Sequence, residues 1–344
     1  MNRPLKILHA PSEIAGQMGI LTSILRKLGY QAKSVNFFIS QYDTKCDIEL
    51  NIKPNTSKRS MAFWLGVMKM FIFFLKSLNF DIYHFHYGRT LLPYYLDLPI
   101  LSALGKKIIF HFHGSDIRNK ETLYKRIDWH GKDFYQVNER RQNLCLKMAK
   151  KYADRIIVST PDLLEFVPTK KVVYLPVAIG FDELPKPEKD QLHATITVVH
   201  SPSSRQIKGT EIILAVIQEI QKSNKDIYFK LIENATHNEV IRYLQKSDLL
   251  IDQLLIGWYG KTAIEMMALG KPVVCFIRKD LMVYHPDLPI VNTEINNLSN
   301  VLRTLIDNVP LIKEIGHRSK IYAQKVHEAK VVGRRLAAVY ESLL

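Results

Sequence analysis

The sequence predicts an α/β protein with two doubly wound domains, each built on a mostly parallel sheet with helices on both faces. Short apolar runs alternate with helical patterns, a rhythm typical of βα units. The rhythm stops at Gly180–Leu192, which is polar and holds two prolines, and then it restarts. A chain of 344 residues is also comfortable for two cores.

We therefore expect a first domain over 1–178, a linker over 179–192 and a second domain over 193–324. The last helical stretch, about 325–344, is expected to pack back on the first domain. In doubly wound sheets ligands bind outside the carboxyl ends of the strands. Two such domains facing a central cleft would therefore place a ligand between them.

The individual elements follow from apolar runs and from apolar residues at helical spacing. Expected strands are Leu5–Ala10, Phe80–Tyr87, Lys106–Gly114, Asp154–Thr160, Lys171–Val177, Ala194–Ser201, Ile227–Glu233, Asp248–Gln253 and Lys271–Ile277. Expected helices are Met18–Tyr30, Arg89–Leu104, Thr210–Gln221, Asn238–Gln245 and most of Leu311–Leu344.

The segment Met61–Phe80 is unusually apolar for a helix of a doubly wound domain. Lys69 and Lys76 interrupt it, and its apolar parts are shorter than the roughly 20 residues that a membrane span needs. It is expected either to be a buried or half-buried helix that covers the sheet, or to lie at a membrane surface.

The charge is large and unevenly distributed. The net charge is +15, and residues 1–175 hold 27 basic and 14 acidic residues, against 21 and 19 in the remainder. A basic half suggests an anionic partner such as phosphates, a nucleic acid or an anionic membrane surface, although a solvated basic surface also fits. Known nucleic-acid-binding sequence patterns are absent, so no nucleic-acid partner is expected.

The cysteines and the N-terminus indicate the compartment. Cys46, Cys145 and Cys275 are odd in number and far apart, which argues against a disulfide framework or a zinc ribbon. The first residues enter a short apolar run without a long hydrophobic leader, so no signal peptide is expected. A cytoplasmic protein fits best, with peripheral binding at the inner face of the membrane as an option.

Strand-to-helix turns are where ligands would bind. In the first of them, Gly16 and Gly19 lie at the start of a helix, where backbone N–H groups can approach a phosphate or a sugar hydroxyl. The spacing is not that of a dinucleotide fingerprint, and a plain flexible loop fits equally well.

Two later strands carry paired histidines, His84 with His86 and His111 with His113. Each pair shares a face of its strand, which raises the hypothesis of a metal site. No acidic or cysteine ligand completes the set, and buried neutral histidines are the simpler interpretation, so no metal is expected. His113 ends its strand, where its imidazole could hydrogen-bond a substrate hydroxyl.

In the second domain, the turn His200–Glu211 carries Arg205 and Lys208 beside a helix start. Two cations there would suit a diphosphate and would stabilise charge on a leaving phosphate. A solvated basic turn is the alternative.

The segment Ile256–Val274 is a buried-looking helix and strand with a single acidic residue, Glu265. Gly257, Gly260 and Thr262 lie at the entry to this helix, where N–H groups can point at phosphates. Glu265 lies about one turn inside, where its carboxylate could hold two ribose hydroxyls.

Together, "HFHGSD", "SRQIKG" and "EMMALGKPVV" in two doubly wound domains resemble glycosyltransferases of the GT-B fold, in particular glycosyltransferase family 4. The resemblance implies transfer of a sugar from a nucleotide-diphosphate donor, with retention at the anomeric carbon and with neither metal nor other cofactor.

The resemblance also implies roles for particular residues. Arg205 and Lys208 resemble the cationic pair on the donor diphosphate, Glu265 the ribose ligand, and His113 the histidine that faces the donor sugar. Candidate catalytic residues are thus His113, Arg205 and Lys208. Candidate donor-binding residues are Gly16, Gly19, Ser201, Arg205, Lys208, Glu233, Gly257, Tyr259, Gly260, Lys261, Thr262 and Glu265.

One position departs from the family pattern. The first Glu of the E-x7-E motif is expected eight residues before Glu265, where this chain has Gly257. Trp258 or Tyr259 could supply sugar contacts instead. No D-x-D motif occurs, so a metal-clamping glycosyltransferase is not expected.

The leading hypothesis is therefore a glycosyltransferase that acts on a surface polysaccharide, a lipid-linked precursor or another glycan. An inactive sugar-nucleotide-binding protein and a nucleotide-sugar epimerase of the same fold are the alternatives. Expected partners are the nucleotide-sugar donor, a glycan or lipid-linked acceptor and an anionic membrane surface at the basic domain.

Overall fold

A computed structural model describes residues 3–39, 46–53, 57, 60–126, 135–186, 195–223 and 227–344. The chain forms two compact units. The first comprises Met1–Asn119, Val137–Ala178 and Ala329–Leu344, and the second comprises Lys120–Gln136 and Ile179–Glu328. Of the expected linker, residues 187–192 lie outside the described part.

The strands are β1 (Lys6–Ala10), β2 (Gln31–Phe38), β3 (Ile48–Ile52), β4 (Ile82–His86), β5 (Lys107–Phe112), β6 (Arg155–Val158), β7 (Val172–Tyr174), β8 (Ile196–His200), β9 (Ile227–Leu231), β10 (Leu249–Ile251), β11 (Val273–Cys275) and β12 (Val291–Asn292). The α-helices are α1 (Gln17–Lys27), α2 (Met61–Lys76), α3 (Asp97–Ala103), α4 (Lys120–Arg126), α5 (Glu139–Tyr152), α6 (Arg205–Lys208), α7 (Thr210–Ser223), α8 (His237–Lys246), α9 (Lys261–Ala268), α10 (Leu298–Ile306), α11 (Val309–His327) and α12 (Ala329–Glu341). Short 3-10 helices cover Pro93–Tyr95, Pro161–Phe166, Phe181–Glu183, Lys279–Tyr284 and Ile295–Asn297.

Within the described residues, the first unit is built on a parallel sheet of seven strands in the order β3-β2-β1-β4-β5-β6-β7. Its central strands are buried on both faces, which explains their nearly continuous apolar runs. The strand order reverses between β1 and β4, so the carboxyl ends of these strands form the switch point where such sheets bind ligands.

The C-terminal helix α12 belongs to the first unit. It buries Val332, Leu336 and Tyr340 in the core under that sheet. Gly333 allows a close approach to α1, because a Cβ at this position would lie 2.7 Å from Cγ2 of Ile24. Any larger residue at 333 would push the two helices apart.

Helix α2 presents an apolar face to solvent. Gly66 and Phe74 are buried, and Gly66 packs against the Ile52 side chain. The opposite face carries seven exposed apolar residues at helical spacing: Met61, Trp64, Leu65, Met68, Phe71, Ile72 and Leu75. We call these seven residues the α2 stripe. None of the helices in the described part of the chain is both long and apolar enough to cross a membrane.

The second unit is built on a parallel sheet of five described strands in the order β12-β11-β10-β8-β9. Its order reverses between β8 and β10, which places the switch point at the ends of those two strands. The prediction of doubly wound α/β units with parallel sheets is therefore confirmed.

Candidate functional site

At the switch point of the second unit, Lys208 forms a buried ion pair with Asp252. Lys208 ends α6, and Asp252 directly follows β10. Lys208 Nζ lies 2.5 Å from Asp252 Oδ1, and the two side chains are 10% and 1% exposed. The other oxygen, Oδ2, accepts a 2.7 Å bond from the N–H of Gly260, the N-cap of α9. Asp252 thus joins the predicted diphosphate cation to the predicted helix start.

Gly260 stands beside Lys208 for a steric reason. A Cβ at this position would lie 3.1 Å from Lys208 Nζ and 3.5 Å from Asp252 Oδ2. A side chain here would press on the ion pair, so the glycine keeps the helix start close to the lysine.

Arg205 and Glu233, both predicted to bind the donor, are in direct contact. Arg205 Nη1 donates a 2.8 Å bond to Glu233, and Nε donates one of 2.8 Å to Glu211. Arg205 is 40% exposed, so a ligand can reach it from solvent, but an anionic ligand would have to compete with the two carboxylates. Of the other predicted residues, Ser201 follows β8 and is partly buried, and Thr262 lies in the first turn of α9.

Glu265 is a buried carboxylate whose Oε1 is paired with other side chains and whose Oε2 has no partner among the described residues. It is 3% exposed, and its Oε1 lies 2.7 Å from His237 Nε2 and 3.1 Å from Lys261 Nζ. Oε2 accepts no hydrogen bond from any described residue, and it is not sealed from solvent. Glu265 can therefore still accept hydrogen bonds from a ligand.

The protonation state of Glu265 follows from these contacts. Burial by itself raises the pKa of the carboxyl, but the bond from His237 and the charge of Lys261 outweigh burial and lower the pKa below its ordinary value. Glu265 is therefore ionised at neutral pH, as a strong acceptor of hydroxyl hydrogen bonds must be.

Gly257, which replaces the family's first glutamate, is required by its surroundings. Its φ is +86°, in the left-handed region that favours glycine. A Cβ there would lie 2.5 Å from Cγ and 2.7 Å from Cδ of Arg278. Arg278 itself is buried and pairs with Asp280 at 2.6 Å. The space that a glutamate would need is thus filled by an arginine stem.

Trp258 and Tyr259 lie in the core of the second unit instead of facing a ligand. Both are almost fully buried. The Tyr259 hydroxyl lies 2.9 Å from the Tyr322 hydroxyl and 3.0 Å from His327 Nε2. A sugar contact from either ring would therefore require it to leave this packing, and the contact stays a prediction.

In the first unit, the histidines are linked into one closed ring of hydrogen bonds, which we call the histidine ring. Its members are His9, His84, His86, His111, His113, Ser159 and Tyr340. The bonds are Tyr340 Oη to His9 Nε2 (3.0 Å), His9 Nδ1 to His86 Nε2 (3.0 Å), His86 Nδ1 to His113 Nε2 (3.0 Å), His113 Nδ1 to Ser159 Oγ (2.9 Å), Ser159 Oγ to His111 Nε2 (3.0 Å), His111 Nδ1 to His84 Nε2 (3.2 Å) and His84 Nδ1 to Tyr340 Oη (2.6 Å).

The composition of the ring is satisfied by neutral imidazoles. A neutral imidazole offers one donor and one acceptor, and a hydroxyl offers one donor and two acceptor lone pairs. Seven members therefore supply seven donors and more than enough acceptors for the seven bonds. Burial lowers the pKa of each of the five histidines, to about 3 for His9 and for His113.

The ring changes the interpretation of His113 and of the metal hypothesis. Both nitrogens of His113 are engaged, so a substrate hydroxyl could bond to it only by displacing His86 or Ser159. Groups of three ring histidines do have nitrogens within 4.8 Å of one another. Each imidazole lone pair already accepts a hydrogen bond, however, so a metal ion would have to break the ring.

The glycines of the first turn are also engaged internally. Gly16 caps α1 with a φ of +75°. The N–H of Gly19 donates a 3.1 Å bond to Glu13, and the N–H of Met18 donates one of 3.2 Å. A phosphate would have to displace the Glu13 carboxyl group from this helix start, so a side chain of the protein occupies the position where a ligand anion was expected.

Two residues of the second-unit site escaped sequence reasoning. Asp252 had a signal, since an acidic residue ends an apolar strand in "DLLIDQ". His237 had none, because it begins α8 directly after a polar stretch and contacts Glu265 only through the fold. Tertiary contacts of this kind are not encoded in local spacing.

Comparisons with known proteins bear on the fold. No protein-family model and no curated protein matches the chain. Sucrose-phosphate synthase from Thermosynechococcus elongatus is 13% identical, with a TM-score of 0.70 over 98% of this chain and 99% of that one. Anabaena HepE in complex with UDP and glucose is 12% identical, with a TM-score of 0.68 over 98% and 100%.

A third similar structure is UDP-GlcNAc 2-epimerase from Neisseria meningitidis bound to UDP-GlcNAc. It is 14% identical, with a TM-score of 0.58 over 98% of this chain and 100% of that one. At these identities the likeness is one of fold, and it extends over nearly the whole chain. The chain therefore has the GT-B fold, with Rossmann-like domains.

Proposed function

We propose that the protein is a glycosyltransferase that transfers a hexosyl group from a nucleotide-diphosphate sugar. The observation that carries this proposal is the state of Glu265: ionised, buried, fixed through one oxygen and open at the other, beside the switch point of the second sheet. Such a carboxylate suits the paired hydroxyls of a ribose. The similar structures include complexes with UDP, UDP-glucose and UDP-GlcNAc, which supports a nucleotide-sugar ligand.

The remaining residues of the site suit the diphosphate. Arg205 offers an exposed guanidinium, and Lys208 a cation held in place by Asp252. When the bond between the anomeric carbon and the diphosphate breaks, negative charge grows on the leaving oxygen. Cations already in place stabilise that charge without reorganisation.

The reaction proposed is retaining and metal-independent. The acceptor oxygen attacks from the face that the diphosphate leaves, and the acceptor proton passes to a leaving phosphate oxygen. His113 is neutral and is hydrogen-bonded through both of its nitrogens. It is assigned no proton transfer, since it would first have to break a bond of the histidine ring. The proposed acceptor is a polysaccharide, a lipid-linked glycan or another cell-surface glycan.

Turnover assays separate this function from its alternatives. Incubation with UDP, GDP, ADP and CMP sugars, with and without glycan acceptors, should give acceptor-dependent release of nucleotide. Isomerised donor without an acceptor would identify a nucleotide-sugar epimerase, the kind of enzyme that the similar Neisseria meningitidis protein is. Tight binding without any conversion would identify an inactive sugar-nucleotide-binding protein, an alternative raised by Gly257.

Replacing Glu265 should weaken donor binding. In Glu265→Gln the ribose hydroxyls lose a charged acceptor, so we expect the dissociation constant of the preferred nucleotide sugar to rise about tenfold or more. Isothermal titration measures it, after a thermal-shift screen has identified the nucleotide. Glu314→Gln, an exposed carboxylate on α11, is the control and should bind normally. Equal affinities in the two variants would make Glu265 a structural residue.

We further propose that the α2 stripe binds an anionic membrane surface. The stripe is apolar and exposed, α2 holds two lysines and no acidic residue, and the first half of the chain carries most of the positive charge. Apolar insertion and attraction to anionic lipid would then act together. Such binding would bring the enzyme to a lipid-linked acceptor.

Vesicle co-sedimentation tests the α2 stripe. Phe71→Asp should reduce binding to phosphatidylglycerol-containing vesicles about tenfold or more, because a charge must then be buried in the interface. Val283→Asp, at an exposed apolar position of the second unit, should bind like the parent protein. If Phe71→Asp binds these vesicles as strongly as the parent protein does, the proposal is contradicted. A dimer in solution that dissociates with Phe71→Asp would instead assign the stripe to a second copy of the chain.

A further inference from the structure

The carboxyl edge of the first sheet carries an arginine without a counter-ion. Arg89 follows β4, after Tyr87 and Gly88, whose φ values of +58° and +61° turn the chain sharply. The Tyr95 hydroxyl donates a 3.0 Å bond to the Gly88 carbonyl and holds this turn. Arg89 is therefore placed at the switch point between β1 and β4 by a fixed turn.

The environment of Arg89 is apolar on one side and cationic on the other. Its guanidinium lies 4.2 Å from the centre of the Phe38 ring. Its Nε is sealed from solvent and has no hydrogen-bond partner within the described chain. Buried N–H groups of charged side chains are almost always paired, so an unpaired one indicates a missing acceptor.

The neighbouring charges point the same way. The pKa of Arg89 is lowered to about 10, first by burial and then by the positive charge of Arg141 on α5. Within the described residues neither guanidinium forms an ion pair with a carboxylate. Arg141 lies one helical turn before Cys145 on α5, and a Cβ at Gly88 would lie 3.0 Å from Cys145 Sγ. The turn that carries Arg89 therefore faces the part of α5 that carries Arg141, and an anion bound there would offset the repulsion between the two unpaired cations.

We propose that Arg89 and Arg141 form a subsite for a phosphate group. The assignment of this phosphate to the acceptor, as a phosphate monoester or diphosphate, rests on the proposed glycosyltransferase function. Guanidinium groups match phosphate oxygens in geometry as well as in charge. The hydroxyls of Tyr87 and Ser115 bond to each other at 2.8 Å in an exposed position, which leaves one further O–H donor at the same edge.

Phosphate binding can be measured without a donor or an acceptor. We would titrate inorganic phosphate into the full chain by calorimetry at low salt, and compare Arg89→Gln and Arg141→Gln with Arg140→Gln. Arg140 is exposed and adjacent to Arg141 on α5, so it matches the charge change. We expect the first two variants to bind phosphate about tenfold more weakly or worse, and Arg140→Gln to bind normally.

Other outcomes would overturn the subsite. No binding to the parent protein, or equal losses in all three variants, would show that nothing more than general positive charge is present. Arg205→Gln is a fourth variant for comparison. If it alone lost affinity for phosphate, the phosphate would bind in the second unit. Arg89→Gln should fold, because it removes an unpaired charge, and its melting temperature checks this. Arg141 is exposed, so its variant gives an independent readout.

Two phosphate esters then identify the source of the phosphate group. Glucose 1-phosphate represents a soluble sugar phosphate, and octyl phosphate represents a lipid phosphate. The ester that binds the parent protein more tightly, and that binds Arg89→Gln more weakly, indicates whether the ligand is a sugar phosphate or a lipid phosphate. Because phosphate binding is measured without nucleotide sugar, this subsite and the proposed transferase activity can fail separately.

Discussion

Lowering the pH from 7.5 to 5.5 is expected to remove about 7 kcal/mol of the contribution that the histidine ring makes to the free energy of unfolding of the first unit. The five histidines of the ring are neutral when folded, and their folded pKa values are lowered by burial. Each would take up a proton on unfolding once the pH falls below the ordinary value near 6.5. Their contribution is therefore complete above that pH and is lost as the pH falls.

The size of this effect decides whether it can be observed. One proton contributes about 1.4 kcal/mol per pH unit, and five histidines act together. A typical domain has only about 5–15 kcal/mol of stability in total. Urea denaturation followed by circular dichroism should thus show a loss of stability, to which the five histidines contribute an uptake of about four to five protons on unfolding at pH 5.5. Asp97 and Asp116 act in the opposite direction, because burial raises their pKa to about 6 and unfolding then releases their protons. A flat profile between pH 7.5 and 5.5 would contradict a neutral ring.

Opening the ring gives a companion test. Tyr340→Phe removes one hydroxyl and leaves His9 Nε2 and His84 Nδ1 without their partner. Leaving buried polar atoms unpaired should cost about 1–3 kcal/mol at pH 7.5. Tyr30→Phe is the control, because that hydroxyl bonds the exposed Glu341 and links the same helix to the unit. Similar costs in both variants would show that the ring adds nothing beyond an ordinary surface bond.

The second large effect is expected at Lys208. Lys208→Gln leaves the carboxylate of Asp252 buried without a cation, which should reduce the free energy of unfolding by about 3–5 kcal/mol. The same variant should raise the barrier to sugar transfer by about 2–4 kcal/mol, since a charge on the leaving diphosphate loses its stabiliser. Loss of activity alone could not separate these causes.

A double variant separates them. Lys208→Gln combined with Asp252→Asn removes both charges and keeps side chains of similar size, so stability should largely recover while turnover stays low. Chemical denaturation and steady-state kinetics on the same preparations measure the two quantities. Recovery of turnover together with stability would show that Lys208 acts only through folding. If the stable double variant turned over at the rate of the parent protein, Lys208 would have no role at the diphosphate.

Much of the fold could be predicted from the sequence because parallel strands buried on both faces are continuous apolar runs. The runs around β4, β5 and β8 are long and apolar, and they were placed within one or two residues. β2 mixes polar and apolar residues, and β3 is a short edge strand in which apolar and polar residues alternate, so neither contains a continuous apolar run. Edge strands bury too little to leave a clear pattern.

The site was less predictable, because burial and pairing decide what a side chain can do. Glu265 was recognisable as a lone carboxylate in an apolar helix, but its partner His237 was not. The free charge expected at Lys208 is balanced by Asp252 in the fold. The left-handed backbone at Gly257, and the arginine stem packed on it, could not be inferred from spacing.

The histidine ring also limits how this chain can change over generations. Each position must offer one donor and one acceptor, so Ser159→Thr preserves the balance, whereas a phenylalanine at any of the five histidine positions breaks two bonds at once. Threonine at position 159 keeps a hydroxyl in the ring, whereas phenylalanine at a histidine position supplies neither a donor nor an acceptor. Among descendants of this sequence, the seven positions should therefore be kept together, or be lost together in favour of an apolar core.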